Sequence, residues 1–397
     1  MPYNITRRHL INSTKKLNVN VMKKILFYYP SNKRSIQIET TLIELQKLNK
    51  EVILLTTCKK GLLHSKVEKS NINTYTNISK YTFSPLYYLS QIVFLIRFCR
   101  KQKVDFVFSN LQHSNFIAVI SQFFIKAPVI AFRHHFKFNK GNFGIPLSVN
   151  KTEVLFDKVI NKLSKKIIVP SSGVYEGIKN YEKVDLKKVR IIPYLYDFTK
   201  YGSPNKDNVT NIKTKFNGHL LIIMVARLIP FKRHMQLLPT YKKLIYSGLD
   251  IKVIILDEGP CSSEIQQYIT QNQLEKNIFL IGFTTHFLDY MKASDLLLHP
   301  SLTEASNNVV KEIGLMEKAV AVCEGVGDFD DYIVDGKNGY LMTKETPEKD
   351  AEEIIRKVYG NKKKLTELGH ALRQTILTHF GNNAPIIQQY KTLINES

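Results

Sequence analysis

Residues 23–57 read KKILFYYPSNKRSIQIETTLIELQKLNKEVILLTT. Two short apolar runs, KKILFYY (23–29) and EVILLTT (51–57), enclose IQIETTLIELQKL (36–48), whose apolar residues recur at helical spacing. Runs of this length on either side of an amphipathic helix are buried strands. A strand–helix–strand unit implies a parallel sheet. The alternation continues through VDFVF (104–108), PVIAF (128–132), KIIVP (166–170) and VRIIP (189–193). A polar stretch follows, DFTKYGSPNKDNVTN (197–211), which lacks apolar periodicity and predicts a linker. A second series then starts: HLLIIMVA (219–226), IKVIIL (251–256), NIFLI (277–281), DLLLH (295–299) and AVAV (319–322).

The expected fold class is therefore α/β, with two Rossmann-like parallel-sheet domains in tandem. The 397 residues exceed one ordinary core, which agrees. The predicted boundaries are 22–200 for the first domain and 201–380 for the second. In such sheets ligands bind at the carboxyl ends of the strands, so the cleft between the domains is the expected site. Residues 1–21 are polar and basic with no apolar segment. They do not read as a secretory signal; they are expected to be either a mis-called start ahead of Met22 or a disordered extension. No run of about 20 apolar residues predicts a membrane span. The four cysteines, Cys58, Cys99, Cys261 and Cys323, are isolated. They suggest neither a zinc site nor a disulfide framework, and they fit a reduced cytoplasmic compartment.

The net charge of +23 is one-sided. Residues 1–200 carry 34 Lys and Arg against 11 Asp and Glu, whereas residues 201–397 carry 23 of each. The first domain should thus face something acidic: anionic lipid, a phosphorylated acceptor or nucleic acid. A solvated basic surface would have the same composition. LYYLSQIVFLIRFCRKQ (86–102) has a broad apolar face and a cationic end. It reads either as an interfacial helix or as an ordinary sheet-packed helix with cations favoured at its last turn. No basic-aromatic recognition motif points to nucleic acid.

Chemistry concentrates in the second domain. In VARLIPFKR (225–233), Arg227 and Lys232 follow a strand end, a place suited to a diphosphate. LDEGP (256–260) is a glycine turn after a strand. NIFLIGF (277–283) places Gly282 where backbone could approach a flat base. TEASNNVVKE (303–312) sets Glu304 and Glu312 eight positions apart around a helix start, with Ser306 or Asn307 as the cap. The backbone N–H groups there form an anion site. Glu304 would serve one end of a nucleotide sugar and Glu312 the ribose diol at the other. Two solvated glutamates would look the same in isolation.

Taken in order, Arg227 and Lys232, DEGP, FLIGF, the E-x7-E from Glu304 to Glu312, and DGKNGYLM (335–342) resemble the retaining glycosyltransferases of family 4, with the GT-B fold. The resemblance covers most of residues 219–345. More loosely, IIVPSSGVYEGI (167–178) and VRIIPYLYDF (189–198) are similar to that family's interdomain segment. HFGNNAPIIQQY (379–390) is similar to its helix that crosses back, giving a final unit at 381–397. The resemblance implies that Arg227 and Lys232 bind the donor diphosphate and stabilise the leaving group. It implies that Glu312 binds ribose, Glu304 contacts donor-sugar hydroxyls, Phe283 lies near the base, and Ser306, Asn307 and Asn308 hold phosphate or sugar. In PVIAFRHHF, His134 aligns best with the family's donor-facing histidine and His135 second. No metal and no cofactor are implied, and the donor would be a UDP- or GDP-sugar. The sugar would move with retention by front-face attack. The chain departs from the pattern in YYPSNKRS (28–35), which has no glycine, at Ala305 and Asn307, at Tyr194-Leu195, and at Asp330 or Asp331 in place of Glu.

The function so implied is transfer to a saccharide or lipid-linked acceptor of the lipopolysaccharide or capsule type. The protein would be cytoplasmic and peripheral at the inner face of the cell membrane, with an anionic membrane surface as partner. A second reading keeps the fold but has a soluble phosphorylated sugar as acceptor. A third is a non-catalytic basic binding protein on a degenerate transferase fold. The retained donor-site cations and acids weigh against it.

Overall fold

The computed structural model describes residues 23–48, 50–82, 84–136 and 151–396. The expected extension at 1–21 lies outside them. The first sheet is built from β1 (Lys24–Tyr29), β2 (Glu51–Thr56), β3 (Asn73–Thr76), β4 (Phe106–Asn110), β5 (Val129–Phe132), β6 (Lys166–Val169) and β7 (Val189–Ile191). Its order is β3-β2-β1-β4-β5-β6-β7, and every pairing is parallel. The second sheet comprises β8 (Leu220–Val225), β9 (Ile251–Leu256), β10 (Ile278–Gly282), β11 (Leu296–His299), β12 (Ala319–Cys323) and β13 (Tyr340–Met342). Its order is β10-β9-β8-β11-β12-β13, again all parallel.

Helices fill the connections. In the first domain these are α1 (Ile36–Lys47), α2 (Leu62–Glu68), α3 (Pro85–Gln102), α4 (Gln112–Ser121), α5 (Lys151–Leu163) and α6 (Ser172–Tyr181). The second domain carries α7 (Lys206–Lys215), α8 (His234–Tyr246), α9 (Ser262–Gln271), α10 (Phe287–Ala293), α11 (Asn308–Leu315), α12 (Phe329–Tyr332), α13 (Pro347–Val358) and α14 (Lys362–Phe380). The two-domain parallel-sheet architecture expected from the alternating runs is thus present. The strand interiors are near-continuous buried aliphatics, as sheets covered on both faces require. One face of the first sheet packs under α1 and α2, the other under α3, α4 and α5. The last helix, α15 (Ala384–Glu396), returns from the second domain. It buries Ile386, Tyr390, Leu393 and Ile394 in the first domain's core.

Part of the predicted linker is helical. Asn205 caps α7 through its side chain, and only Ile212 of that helix is fully buried. The helix is tied down by polar bonds: Asn205 N–H and Asn208 Nδ2 donate to Asp289 of α10 at 2.7 and 2.8 Å. Apolar periodicity could not report it. Each sheet has a switch point, between β1 and β4 in the first and between β8 and β11 in the second. Such points open the crevice in which α/β proteins bind ligands.

Candidate functional site at the second switch point

Arg227 and Lys232 leave the carboxyl end of β8, and Glu304 leaves the adjacent end of β11. The loops are held to one another by backbone. Leu302 N–H donates to Phe231 O at 2.8 Å, and Leu228 N–H donates to Glu258 O at 3.0 Å. A Cβ on Gly259 would lie 2.3 Å from Leu228 O, so the glycine of DEGP is what lets that turn press on the cation loop.

Lys232 Nζ donates to Glu304 Oε1 in a largely buried ion pair. His299 Nε2–H donates to the same oxygen at 2.7 Å. Burial alone would raise the Glu304 carboxyl, but the bonds and charges of His299 and Lys232 outweigh it and hold the group well below the usual range. Glu304 is therefore a carboxylate at neutral pH. His299 stood in DLLLHPSL; its strand-end position was its one signal. Arg227 is exposed at the cleft and forms no ion pair among the described residues. Phe283 is 69% exposed just past β10.

Asn307 is the helix cap. Its Oδ1 accepts from Val310 N–H at 3.0 Å. The N–H groups of Asn308 and Val309 have no acceptor among the described residues, so the start of α11 leaves two backbone donors open. Ser306 Oγ donates to Asp328 Oδ2 at 2.5 Å and accepts from Lys311 Nζ at 3.1 Å. Asn308 Oδ1 accepts from Gln37 Nε2 of the first domain at 2.7 Å, which joins the domains across the cleft. Glu312, one turn further along, forms no side-chain bond among the described residues. Burial pushes its carboxyl up to about 7 against an opposing pull from Lys311. Its charge is felt by Tyr201, whose hydroxyl accepts from Gln37 at 3.4 Å.

The two histidines of the first domain are placed differently. His134 is engaged on both ring nitrogens, by Tyr194 OH and by Asn110 Oδ1. Burial, with the charges of His135 and Arg133, pushes it down to about 3, so it is neutral. His135 turns to the cleft. Crowding by both domains lowers its pKa, Glu304 opposes that, and Lys232 and Arg133 add to it. Glu304 and Lys232 thus lie within electrostatic reach of His135, whereas neither figures in the surroundings of His134. Of the acids before the DG turn, Asp331 accepts from Ser172 Oγ across the domain boundary, and Asp330 folds back on Gly325 N–H at 2.6 Å.

Two residues absent from the motif reading organise this loop. Lys311 is fully buried and reaches Asp328 Oδ2 at 2.6 Å and Asn307 O at 3.0 Å. Tyr196, Tyr332 and Phe380 surround its ammonium at 5.2, 5.0 and 4.5 Å. Among the described residues no cluster of three His, Cys, Asp or Glu is arranged to hold a metal.

Residues 205–375 match the family model for glycosyl transferases group 1. Over 310 residues the chain is 25% identical to a Campylobacter jejuni protein, N-acetylgalactosamine-N,N'-diacetylbacillosaminyl-diphospho-undecaprenol 4-alpha-N-acetylgalactosaminyltransferase. That alignment covers 73% of this chain and 80% of the relative. The capsular polysaccharide biosynthesis glycosyltransferase CapM of Staphylococcus aureus is 21% identical over 326 residues, 78% of this chain and 82% of the relative. Among solved structures, Anabaena Alr3699/HepE in complex with UDP-glucose superposes with a TM-score of 0.74 at 19% identity. The match covers 94% of this chain and all of that one, and it shows a shared fold. Family model and relatives agree on one class of enzyme, a glycosyltransferase.

Proposed function

We propose that this glycosyltransferase is a retaining enzyme of cell-surface polysaccharide synthesis. It moves a sugar from a UDP- or GDP-sugar to a saccharide or lipid-linked acceptor, working at the inner face of the membrane. The observation that carries the reading is the ionised Glu304, paired with Lys232 at the switch point beside the open N-terminus of α11. A cation pair, free helix N–H groups and a carboxylate converge there, as a diphosphate followed by a sugar requires.

Spacing supports it. Phe283 lies past β10, Arg227 past β8 and Glu304 past β11. From β10 to β11 is three strand spacings, roughly 14 Å, the scale of an extended nucleotide sugar. The base sits near Phe283, the diphosphate at Arg227 and Lys232, and the sugar at Glu304. Glu312 accepts from the ribose diol. As the bond from the anomeric carbon to the diphosphate oxygen breaks, Arg227 and Lys232 neutralise the departing charge. The acceptor hydroxyl bonds to that carbon on the same face, and its proton passes to the leaving phosphate oxygen. The names of the Campylobacter and Staphylococcus relatives support a lipid-linked or capsular acceptor.

Calorimetry with UDP, GDP, CMP and ADP against the purified chain and its Glu312→Ala variant tests the donor site. Micromolar binding of UDP or GDP that is lost in the variant is expected. Failure of every nucleotide to bind would overturn the reading.

A further inference from the structure

We infer that the outer face of α3 is a membrane-docking surface for anionic lipid headgroups, with its apolar half at the mouth of the cleft. The inner face of α3 buries Gln91, Leu95, Phe98 and Cys99 in the first domain. Opposite, Leu86, Leu89 and Val93 continue into Arg97, Arg100 and Lys101 at spacings of three and four residues, so they form one stripe. Leu86 and Leu89 are 56% and 58% exposed. At the cationic end Phe123 and Phe124 are exposed too, held beside the helix because Arg100 Nη2 donates to Phe124 O at 2.8 Å. At the other end Ile78 and Tyr81 are exposed in the segment that leads into the helix.

Single exposed apolar side chains are ordinary, but a continuous stripe along an 18-residue helix is not. All the large exposed apolar side chains among the described residues belong to the first domain, apart from Tyr246, Phe283 and Val334. Charge selects the occupant. Residues 77–152 contain ten Lys and Arg against one acid, Asp105. An exposed apolar stripe ending in cations, with no acid on the helix, suits an interface of acyl chains and anionic headgroups. Among the described residues no helix is long and apolar enough to cross a membrane, so contact through α3 is lateral.

Direction gives the surface a purpose. β3 ends at the carboxyl edge of the sheet, where the cleft opens, and α3 runs back from there. Leu86 and Leu89 therefore sit at the cleft mouth, with Arg100 and Lys101 about 20 Å away along the helix. A bilayer engaged by this stripe meets the cleft at headgroup level, where a lipid-linked acceptor presents its sugar. That last step rests on the transferase reading above; the surface itself does not.

Flotation of the full chain with vesicles of phosphatidylcholine alone, or mixed with phosphatidylglycerol, tests it. UDP calorimetry on each variant reports the integrity of the donor site. Salt-sensitive binding to the phosphatidylglycerol vesicles is expected. It should weaken at least about tenfold in Leu86→Asp/Leu89→Asp and in Arg97→Gln/Lys101→Gln, with UDP binding unchanged. Equal flotation of both variants and the parent chain would overturn the proposal, as would absence of vesicle binding. A parent dimer that the leucine variant dissociates, without lipid binding, would instead assign the face to a second copy. Vesicle binding by a chain that binds no nucleotide would leave the surface standing and remove the donor-site reading.

Discussion

Lys311 Nζ lies 2.6 Å from Asp328 Oδ2, and both side chains are withdrawn from solvent beneath the Glu304–Glu312 segment. Asp328 also accepts from Ser306 Oγ, and Lys311 donates to Asn307 O. The pair therefore holds the loop that presents the free N–H groups. Breaking one partner of a buried pair costs about 3–5 kcal/mol, whereas replacing both by apolar groups can be nearly neutral. Lys311→Met should lower stability by about 3 kcal/mol in chemical denaturation. Lys311→Met/Asp328→Leu should regain more than half of that loss. UDP affinity should stay depressed in the double variant, because Ser306 and Asn307 have lost their anchors. A double variant that binds UDP like the parent would show that the pair serves stability alone.

If Glu312 accepts from the ribose as proposed, donor binding depends on pH. Its carboxyl is pushed up to about 7 by burial, and the protonated form is a poorer acceptor for a ribose diol. UDP affinity should rise by about tenfold between pH 6 and pH 8 beyond whatever the free nucleotide's own titration contributes. Glu312→Gln isolates that contribution, since its profile contains the nucleotide's titration alone. Stability moves the opposite way. A carboxyl raised in the folded state contributes stability below its unfolded value near 4.5, and that contribution is lost as pH rises through about 7. The Gln variant should therefore gain on the parent in melting temperature between pH 5 and pH 8. Parallel profiles for the two proteins would refute the assignment.

The strands with continuous aliphatic runs were legible because burial on both faces leaves no other composition. β3, with the sequence NTYT and alternate residues exposed, escaped notice because an edge strand of four residues needs no apolar run. β13, YLM, is three residues long, too short for a run of apolar residues to mark it as a strand. In the site, Glu304, Lys232 and the cap at Asn307 could be located by motif, because strand end, loop and helix start follow one another in the chain. Lys311 and Asp328 could not, since they meet through the fold across 17 residues. The G-V-G-D run at 325–328, two glycines and an acid after a strand, was the available signal. The choice between His134 and His135 is a matter of ring direction, and a dipeptide does not encode that.

That choice yields a paired test. His134 is bonded to Tyr194 and Asn110, so His134→Ala should cost about 1–3 kcal/mol of stability by leaving buried polar atoms unpaired. His135 is exposed at the cleft and coupled to Glu304 and Lys232. His135→Ala should leave stability within about 0.5 kcal/mol and lower kcat/KM by about 10- to 100-fold. Thermal melting and donor turnover on both variants separate the two roles. If the His134 variant loses turnover at full stability while the His135 variant does not, the donor-facing role belongs to His134.

The two domains also meet backbone to backbone between two glycines. Gly173 N–H, in the first turn of α6, donates to Gly327 O at 3.0 Å. Gly327 holds a φ of +58°, and a Cβ there would lie 2.8 Å from Cβ of Glu304. A first-domain helix start, a second-domain loop and the site carboxylate are thus stacked in series. A Cβ on Gly173 would meet Gly327 O at 2.4 Å, a distance only a shift of backbone can relieve. Within α6 alone, Gly173→Ala should be neutral or stabilising by up to about 1 kcal/mol, because alanine favours helix. Across the cleft it should displace the loop behind Glu304, and misplacement by about 1 Å can cost about 100-fold in rate. The clash offsets the helix gain, so the expected result is a loss of stability of no more than about 2 kcal/mol together with a fall in kcat of about 10- to 100-fold. UDP affinity, assigned in the proposed function to Arg227, Lys232 and Glu312, should move far less. A variant with full kcat would mean that the domains part at this contact during turnover, and that the packing of Gly173 on Gly327 does not position the carboxylate.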